Sequence, residues 1–445
     1  MTPTGLSGPP SFIDLFAGCG GLSLGLLSAG WNGSFAVEKD PDAFATLQKN
    51  LIDGSRVRQF GWPEWYPKAP RTIASLLTDF EAELKLLRGN IDLMAGGPPC
   101  QGFSSLGRRS PGDPRNRLFE SYLSAVELIR PRFLIVENVL GIGFSRPEVV
   151  GQTEDGEPEH RYSMLLKRGL WTLGYDTYSS TVLASDFGVA QTRPRYFVIG
   201  VQAGLAGRIG IDPFQLLKGH RRSFLASKGL GEGRIGVSQA ISDFESGWAA
   251  IRPSSERRNY FEILPGLCRT RYQALLRAPS GEILADSTRM PKHRSRTRER
   301  MEQILRQCEP GKKVSASLRM KLGIKKHSIR RLDPDSPAPT LSTLPDDFVH
   351  YSEPRVLTVR EMARLQSFPD WFSFQGNYTT GERRRVLECP RYTQVGNAVA
   401  PFVAEAIGQM LLGVLHRVRT GPTDKFTPPT KLGASVLPAL IAREP

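Results

Sequence analysis

FIDLFAGCGG, residues 12–21, runs a short apolar stretch into a glycine-rich turn and on into LSLGLLSAG (22–30). The pattern reads as strand, turn, helix. Glycines at such a turn let backbone N–H groups approach a ligand at the helix N-terminus. The spacing is not GxGxxG, and no Lys-Ser/Thr pair follows, so this is no P-loop. The next apolar run, SFAVE (34–38), ends on Glu38, 24 residues after Asp14. Rossmann-like folds hold a ribose with a carboxylate roughly 20 residues downstream. The pair points to a nucleoside-containing cofactor; the other reading is a purely structural turn beside a surface glutamate.

Outward from this unit the alternation continues. DAFATLQKNL (42–51), RLFESYLSAVELI (117–129) and RYSMLLKRGLWTLG (161–174) read as helices. IDLMAG (91–96), RFLIVEN (132–138) and YFVIGV (196–201) read as strands. Strands alternating with helices predict an α/β domain with a parallel, doubly wound sheet. Residues 202–340 lose the pattern and are predicted to be irregular. TVREMARLQSF (358–368) is helical again, GNAVAPFVAEAIGQMLLGVLHRV (396–418) one long apolar-rich helix, and 420–445 a loose tail. No apolar run is read as approaching the ~18 residues of a membrane span, and MTPTGLSGPP has no signal-peptide pattern. A cytoplasmic, nucleoid-associated protein is expected.

The 445 residues carry 59 Lys and Arg against 44 Asp and Glu, a net +15. Residues 251–331 alone hold 21 against 7, a net +14. Charge so localised predicts a polyanion partner, nucleic acid before a merely basic solvated face. The five cysteines, Cys19, Cys100, Cys268, Cys308 and Cys389, never form CxxC. Neither a disulfide framework nor a metal site is expected.

GGPPCQGFSS (96–105) places Cys100 on a stiff loop at the carboxyl end of a strand, the edge where open α/β sheets bind ligands. A thiol there reads as a nucleophile rather than buried filler. RFLIVENV (132–139) drives an apolar strand into Glu137 at the same edge. A carboxylate at the end of a buried strand needs a task or a partner. In QTRPR (191–195), Arg193 and Arg195 share a face if the segment is extended, which suits a phosphate or a carboxylate.

With DLFAGCGG (14–21), VEKD (37–40), GGPPCQGFS (96–104), DPRNRLF (113–119), ENV (137–139), QTRPR (191–195), LTVREMARLQSFPD (357–370) and QVGNAV (394–399) in this order, the sequence resembles the cytosine-C5 DNA methyltransferases, of bacterial or phage type. The resemblance spans about 12–201 and 337–408, and leaves 202–336 where that family keeps its variable target-recognition region. It implies a Rossmann-like S-adenosylmethionine-dependent methyltransferase sheet with a second, smaller, irregular target-recognition domain. The expected division is a catalytic and cofactor domain over 1–201, a small domain over 202–390, a helix returning to the first over 391–419, and the tail.

The resemblance also implies roles. Cys100 matches the nucleophile that adds to C6 of cytosine, and Glu137 the acid at N3 and the exocyclic amine, its proton held more tightly by burial. Arg193 and Arg195 match the arginines around the base. Phe16 is expected to stack on adenine, with Gly18, Cys19, Gly20 and Gly21 lining the methionine end and Glu38 holding the ribose. Pro99, Leu118, Asn397 and Val399 complete that pocket. S-adenosyl-L-homocysteine is the expected product. DNA contacts fall to Gln101, Ser104, Arg108, Arg109, Arg294, Arg296, Arg298 and Thr340, the base being flipped out of the duplex. A monomer is expected, with a cognate restriction endonuclease as a candidate partner.

One signature departs from the family, which usually has an acidic residue before an isoleucine to contact the adenine amine. Here PRTIASLL (70–77) has Thr72 before Ile73, with Asp79 or a backbone group as substitutes, and the preceding FGWPEWYP (60–67) is unusual. Two other readings keep the same scaffold: a tRNA cytosine-C5 methyltransferase and a non-catalytic DNA-binding module. The basic insertion and the serine in PPCQGFS favour DNA; intact Cys100, Glu137, Arg193 and Arg195 favour catalysis.

Overall fold

The computed structural model describes residues 9–54, 56–98, 116–138, 149–152, 158–277, 285–379 and 388–420. These divide into two compact units. The first comprises 9–183, 194–221 and 403–420, the second 184–193 and 222–402. The first unit thus runs past residue 201 to 221, and the second takes in 184–193.

The first unit is built on a six-stranded sheet. Its elements are β1 (Ser11–Leu15), α1 (Gly21–Ala29), β2 (Asn32–Val37), α2 (Pro41–Leu47), α3 (Ile73–Asp79), α4 (Glu81–Leu86), β3 (Leu93–Gly96), α5 (Asn116–Ile129), β4 (Phe133–Asn138), α6 (Arg161–Thr172), β5 (Tyr175–Leu183) and β6 (Pro194–Gln202). The strand order is β2-β1-β3-β4-β6-β5. The first four strands run parallel, and their inner residues are covered on both faces, as expected for strands this apolar.

The expectation of an all-parallel sheet is corrected at its far edge. β6 is antiparallel to both β4 and β5. β5 returns to β6 through only ten residues, 184–193, without a crossover helix, and so short a return reverses direction. β5 itself, YDTYSSTVL, had not been expected as a strand.

The apolar C-terminal segment is also corrected. It is two helices, Arg391–Asn397 and Pro401–Thr420, broken at Ala398, whose ψ is 147°. Pro401 lacks an N–H and disfavours helical backbone in the residue before it. Residues 391–419 do pass the length and hydropathy of a membrane span, contrary to the sequence reading, but 72% of the apolar window is buried inside the protein. The helix beyond Pro401 packs on α1. Trp31 Nε1 donates to the Gly408 carbonyl at 2.9 Å, and a methyl at Gly408 would lie 2.8 Å from Ala29 Cβ. Its apolar surface belongs to the core of the first unit.

The second unit is more ordered than the irregular insertion expected. It contains a hairpin of β7 (Ala250–Pro253) and β8 (Phe261–Leu264), the basic helix α7 (Ser295–Gln307), and α8 (Val359–Leu365). α7 buries only Met301 and Ile304, against Cys308, Val314, Leu318, Val349 and Val356, so its apolar face is narrow and the rest of the helix is polar.

Candidate active site

The chain leaves β1 through Phe16, whose φ of 61° is left-handed. A non-glycine residue there stores about 1–3 kcal/mol and is held by its surroundings. The two glycines that follow act differently. At Gly20 (φ 94°) a methyl would strike Leu51 Cδ1 at 2.9 Å, so glycine lets the turn sit down on α2 and the turn after it. At Gly18 (φ 56°) a methyl would meet nothing within 4 Å, which leaves open space on the outer side of the turn.

Glu38, at the end of β2, fastens this turn. Its Oε2 accepts from Gly18 N and its Oε1 from Asp40 N, each at 2.8 Å. Burial pushes its pKa up, while those two donors pull it down. The carboxylate expected to hold a ribose thus lies against the glycine turn, with one oxygen on each of two backbone N–H groups. Asp14 lies directly beneath, 1% exposed, taking a hydrogen bond from the Ser23 hydroxyl. Burial pushes its pKa up to about 7. The Cys19 thiol is buried, and burial pushes its pKa up to about 12, which keeps it protonated. Gly21 opens α1.

FGWPEWYP folds into an aromatic wall behind β2. Phe35 lies 5.6 Å from Trp65 and 4.9 Å from Tyr66, and Trp62 stacks on Tyr66 at 5.5 Å. Phe16 and Leu118 pack partly buried against the same core. The wall leads to Arg71, whose N donates to the Glu38 carbonyl at 2.8 Å. Thr72 caps α3, its Oγ1 accepting from Ser75 N, and Asp79 is paired with Arg71 at 3.1 Å. Thr72 and Asp79 thus both have partners within their own segment. The density of aromatic residues in FGWPEWYP was the available signal for this wall.

One strand over, β3 ends beside β4. A methyl at Gly97 would lie 3.1 Å from the Glu137 carbonyl oxygen and 3.2 Å from its Oε2. The chain therefore passes flush against the Glu137 carboxyl three positions before Cys100. Cys100 itself, with Pro99, Gln101, Ser104, Arg108 and Arg109, lies outside the described residues. Arg195 Nε stands 2.9 Å from Glu137 Oε1, both side chains about one-eighth exposed. The pairing of β4 with β6 brings the two together from residues 58 apart in sequence. Burial lowers the Arg195 pKa and the Glu137 charge opposes it. The expectation for Glu137 counted burial alone; the structure adds the Arg195 guanidinium beside it.

Arg193 sits in the second unit with different partners. It is buried, and donates to the carbonyls of Gly396 at 2.7 Å and Leu341 at 3.3 Å. Gln191–Thr192 pairs in parallel with Ala338–Pro339, and Thr340 Oγ1 donates to the Thr192 carbonyl at 3.1 Å. Arg193 thus laces the QTRPR, PAPTLST and QVGNAV segments to one another. The expected Arg193–Arg195 pair on a common anion is not what their contacts form. Asn397 is exposed and Val399 half-buried at the break between the last two helices. Arg294 is the N-cap residue of α7, and Arg296 and Arg298 are exposed on it. Arg298 pairs with Glu302 at 3.5 Å.

Comparison with known proteins fits this geometry. Residues 10–413 match the model of the C-5 cytosine-specific DNA methylases. The chain is 28% identical over 410 residues to the type II methyltransferase M.DdeI of Desulfomicrobium norvegicum, covering 90% of this chain and 88% of that one. It is 28% identical over 439 residues to M.XorII of Xanthomonas oryzae pv. oryzae, covering 93% and 87%. Among solved structures, it resembles a DNA modification methyltransferase encoded within an E. coli prophage, with TM-score 0.59, 26% identity, and 92% and 99% of the two chains covered. A strand-turn-helix with its fastened acid, a strand end at Gly97 passing beside a paired glutamate, and a family match over nine-tenths of the length agree: the chain belongs to the C-5 cytosine-specific DNA methylase family, enzymes that methylate cytosine in DNA.

Proposed function

We propose that the chain moves a methyl group from S-adenosylmethionine to C5 of a cytosine rotated out of duplex DNA, with Cys100 as nucleophile and Glu137 as acid. The observation that carries this is the close passage of Gly97 against the Glu137 carboxyl, already paired with Arg195. A base reaching Glu137 is then within a few residues of Cys100 along the chain.

The sequence of bonds follows. The Cys100 thiolate adds to C6 while N3 takes a proton from Glu137, so the ring stays uncharged and C5 gains electron density. C5 takes the methyl as the methyl–sulfonium bond breaks, its electron pair staying on sulfur to leave the neutral thioether S-adenosylhomocysteine. The C5 proton then leaves to a base, the C6–S bond breaks, and the N3 proton returns to Glu137. Arg195 orients the carboxyl throughout. Arg193 is a positioning residue, holding the Thr340–Leu341 strap at the Leu341 carbonyl.

The first turn suits the donor. The open side of Gly18 admits a ligand that a methyl there would obstruct, Glu38 offers carboxylate lone pairs to ribose hydroxyls, and Phe16 offers a ring held at a fixed backbone angle. S-adenosylmethionine, when bound, supplies an electrophilic methyl on a sulfonium. Glu38→Gln should raise KM for the donor about 10-fold or more, the cost of one hydrogen bond to a charged group. DNA affinity should stay within ~2-fold; equal losses on both would detach Glu38 from the donor. The enzyme is expected to act as a monomer in the cytoplasm on double-stranded DNA, with a restriction endonuclease as a candidate companion.

Covalent trapping tests the reading. With donor and duplex DNA carrying 5-fluorocytosine, the C5 position cannot lose a proton and the adduct should persist through denaturing gels. Methyl incorporation into tRNA but not duplex DNA, with no adduct, would overturn it.

A further inference from the structure

The second unit carries a column of alternating guanidinium groups and tyrosine rings. Arg391 stands 4.4 Å from the Tyr378 ring centre on the measure of its Cζ, and Arg289 stands 3.6 Å from the same ring. Arg289 also lies 4.7 Å from Tyr260, which Arg257 approaches at 5.2 Å and the Lys292 ammonium at 5.9 Å. Two rings thus hold four cations. One end is tied down: Arg391 pairs with Glu256 at 3.0 Å, and Tyr378 is buried. At the other end Arg257, Arg258 and Lys292 are exposed. Among the described residues, no carboxylate forms an ion pair with Arg257, Arg289 or Lys292.

The column is rigidly mounted. Glu262 on β8, 5% exposed, takes both Nε and Nη2 of Arg252 on β7, at 3.1 and 3.0 Å. Its other oxygen takes the Ser254 hydroxyl at 2.8 Å and Ser255 N at 3.1 Å. These bonds pin the loop that bears Arg257 and Arg258. On the far side of β8, Met290 N donates to the Phe261 carbonyl at 2.7 Å, which fixes the strand beside Arg289 and Lys292. Like charges gathered on a fixed frame repel; Glu256 and Asp286 answer Arg391 at the tied end, and an anion at the open end would relieve the repulsion there. A frame that already holds its donors loses little side-chain entropy on binding.

We propose that this arginine–tyrosine column, through Arg257 and Lys292 at its open end together with exposed Arg258, the next residue in the chain, is a preformed strip that grips the phosphodiester backbone of duplex DNA. It rests on the DNA-methylating reading above and gives the basic central segment a site outside α7. The rings set the guanidinium planes, and the exposed cations displace the counterions of successive phosphates. Contacts of this kind carry affinity and register, not sequence.

The test is binding of a 40-base-pair mixed-sequence duplex by the full chain between roughly 50 and 200 mM salt. Each phosphate contact contributes about 0.9 to the slope of log affinity against log salt. The Arg257→Gln/Arg258→Gln/Lys292→Gln variant should lose about 2 to 3 from that slope and at least ~10-fold in affinity at ~150 mM salt. Methyl transfer at saturating duplex and low salt, and the sequence methylated, should be unchanged. A control triple, Lys49→Gln/Lys85→Gln/Lys218→Gln, removes the same charge from the first unit and should leave the slope within ~0.5. Should the test triple lose its fold by circular dichroism, Arg258→Gln alone should still lower the slope by about 1. A wild-type slope in the variant, equal loss in the control, or a changed recognition sequence would each overturn the proposal. Because the slope is read by binding, a wild-type protein that proves inert in methyl transfer removes the functional reading without settling the strip.

Discussion

Cys100→Ala is expected to lower methyl transfer to duplex DNA by roughly 10⁴-fold or more, to background, while the variant still binds DNA. Removing a covalent nucleophile from a machine whose parts act together costs about as much as removing the whole machine. Without the sulfur, C6 stays trigonal and C5 remains part of an aromatic ring. The Glu137 proton then has no developing charge to neutralise. Glu137→Gln should be milder, about 10²-fold, since an amide keeps hydrogen bonds to the base but cannot deliver a proton as a carboxyl does. The double variant should be no slower than Cys100→Ala alone, because the acid assists only the addition that Cys100 performs. The readout is single-turnover transfer of labelled methyl at saturating DNA, beside a binding assay. A Cys100→Ala rate within tenfold of wild type would remove the covalent route; a double variant far slower than Cys100→Ala would give Glu137 a separate task.

Which parts of this site could be seen in the sequence follows from range. The β1 turn and Glu38 lie within one βαβ unit, where hydrophobic period, glycine and the distance to the acid are local signals; the direct Gly18–Glu38 bond is a detail they do not specify. Glu137 was visible as a charge closing an apolar strand, but its Arg195 partner came only through the pairing of β4 with β6. Strand patterns carry no direction, so the reversed β6 was unseen. β5, with Tyr, Thr and Ser spread along a sheet edge, has too little alternation to announce itself. Arg193 and Arg195, two positions apart, read as a pair in an extended segment, yet the chain passes between two units at residue 194 and gives them separate partners. Charged residues in VREMARL look like a solvated face, and only the fold shows Arg360 and Arg364 fully buried.

That burial underlies the largest expected effect on stability: Arg364→Met should destabilise the second unit by about 3–5 kcal/mol, the cost of stranding buried carboxylates. Arg364 Nη2 pairs with Asp370 Oδ2 at 2.6 Å and Nη1 with Asp243 Oδ1 at 2.5 Å, with all three side chains at most 3% exposed. The guanidinium also stands 4.3 Å from the Phe244 ring centre, and Tyr272 Oη donates to the Arg364 carbonyl at 2.7 Å. Methionine fills the volume but leaves Asp370 without its main counter-charge, while Asp243 keeps Arg277. In the wild type, Arg364 holds the Asp370 pKa below its ordinary value of 3.8 despite burial. That carboxylate therefore contributes stability above about pH 4, lost as pH falls through its folded pKa. In Arg364→Met burial is opposed only by the weaker pulls of Arg360 and Arg277 and raises the Asp370 pKa, so the ionised group becomes a cost above pH 4. The deficit should be widest near pH 8 and narrow toward pH 4.5 as the buried acid takes up its proton. Adding Asp370→Asn should recover part of the loss at pH 8 and little at pH 4.5. Melting followed by tryptophan fluorescence should fall by roughly 10 °C for a unit of this size. A shift under ~2 °C, or one independent of pH, would mean that water reaches these carboxylates and that the helix does not depend on its arginine.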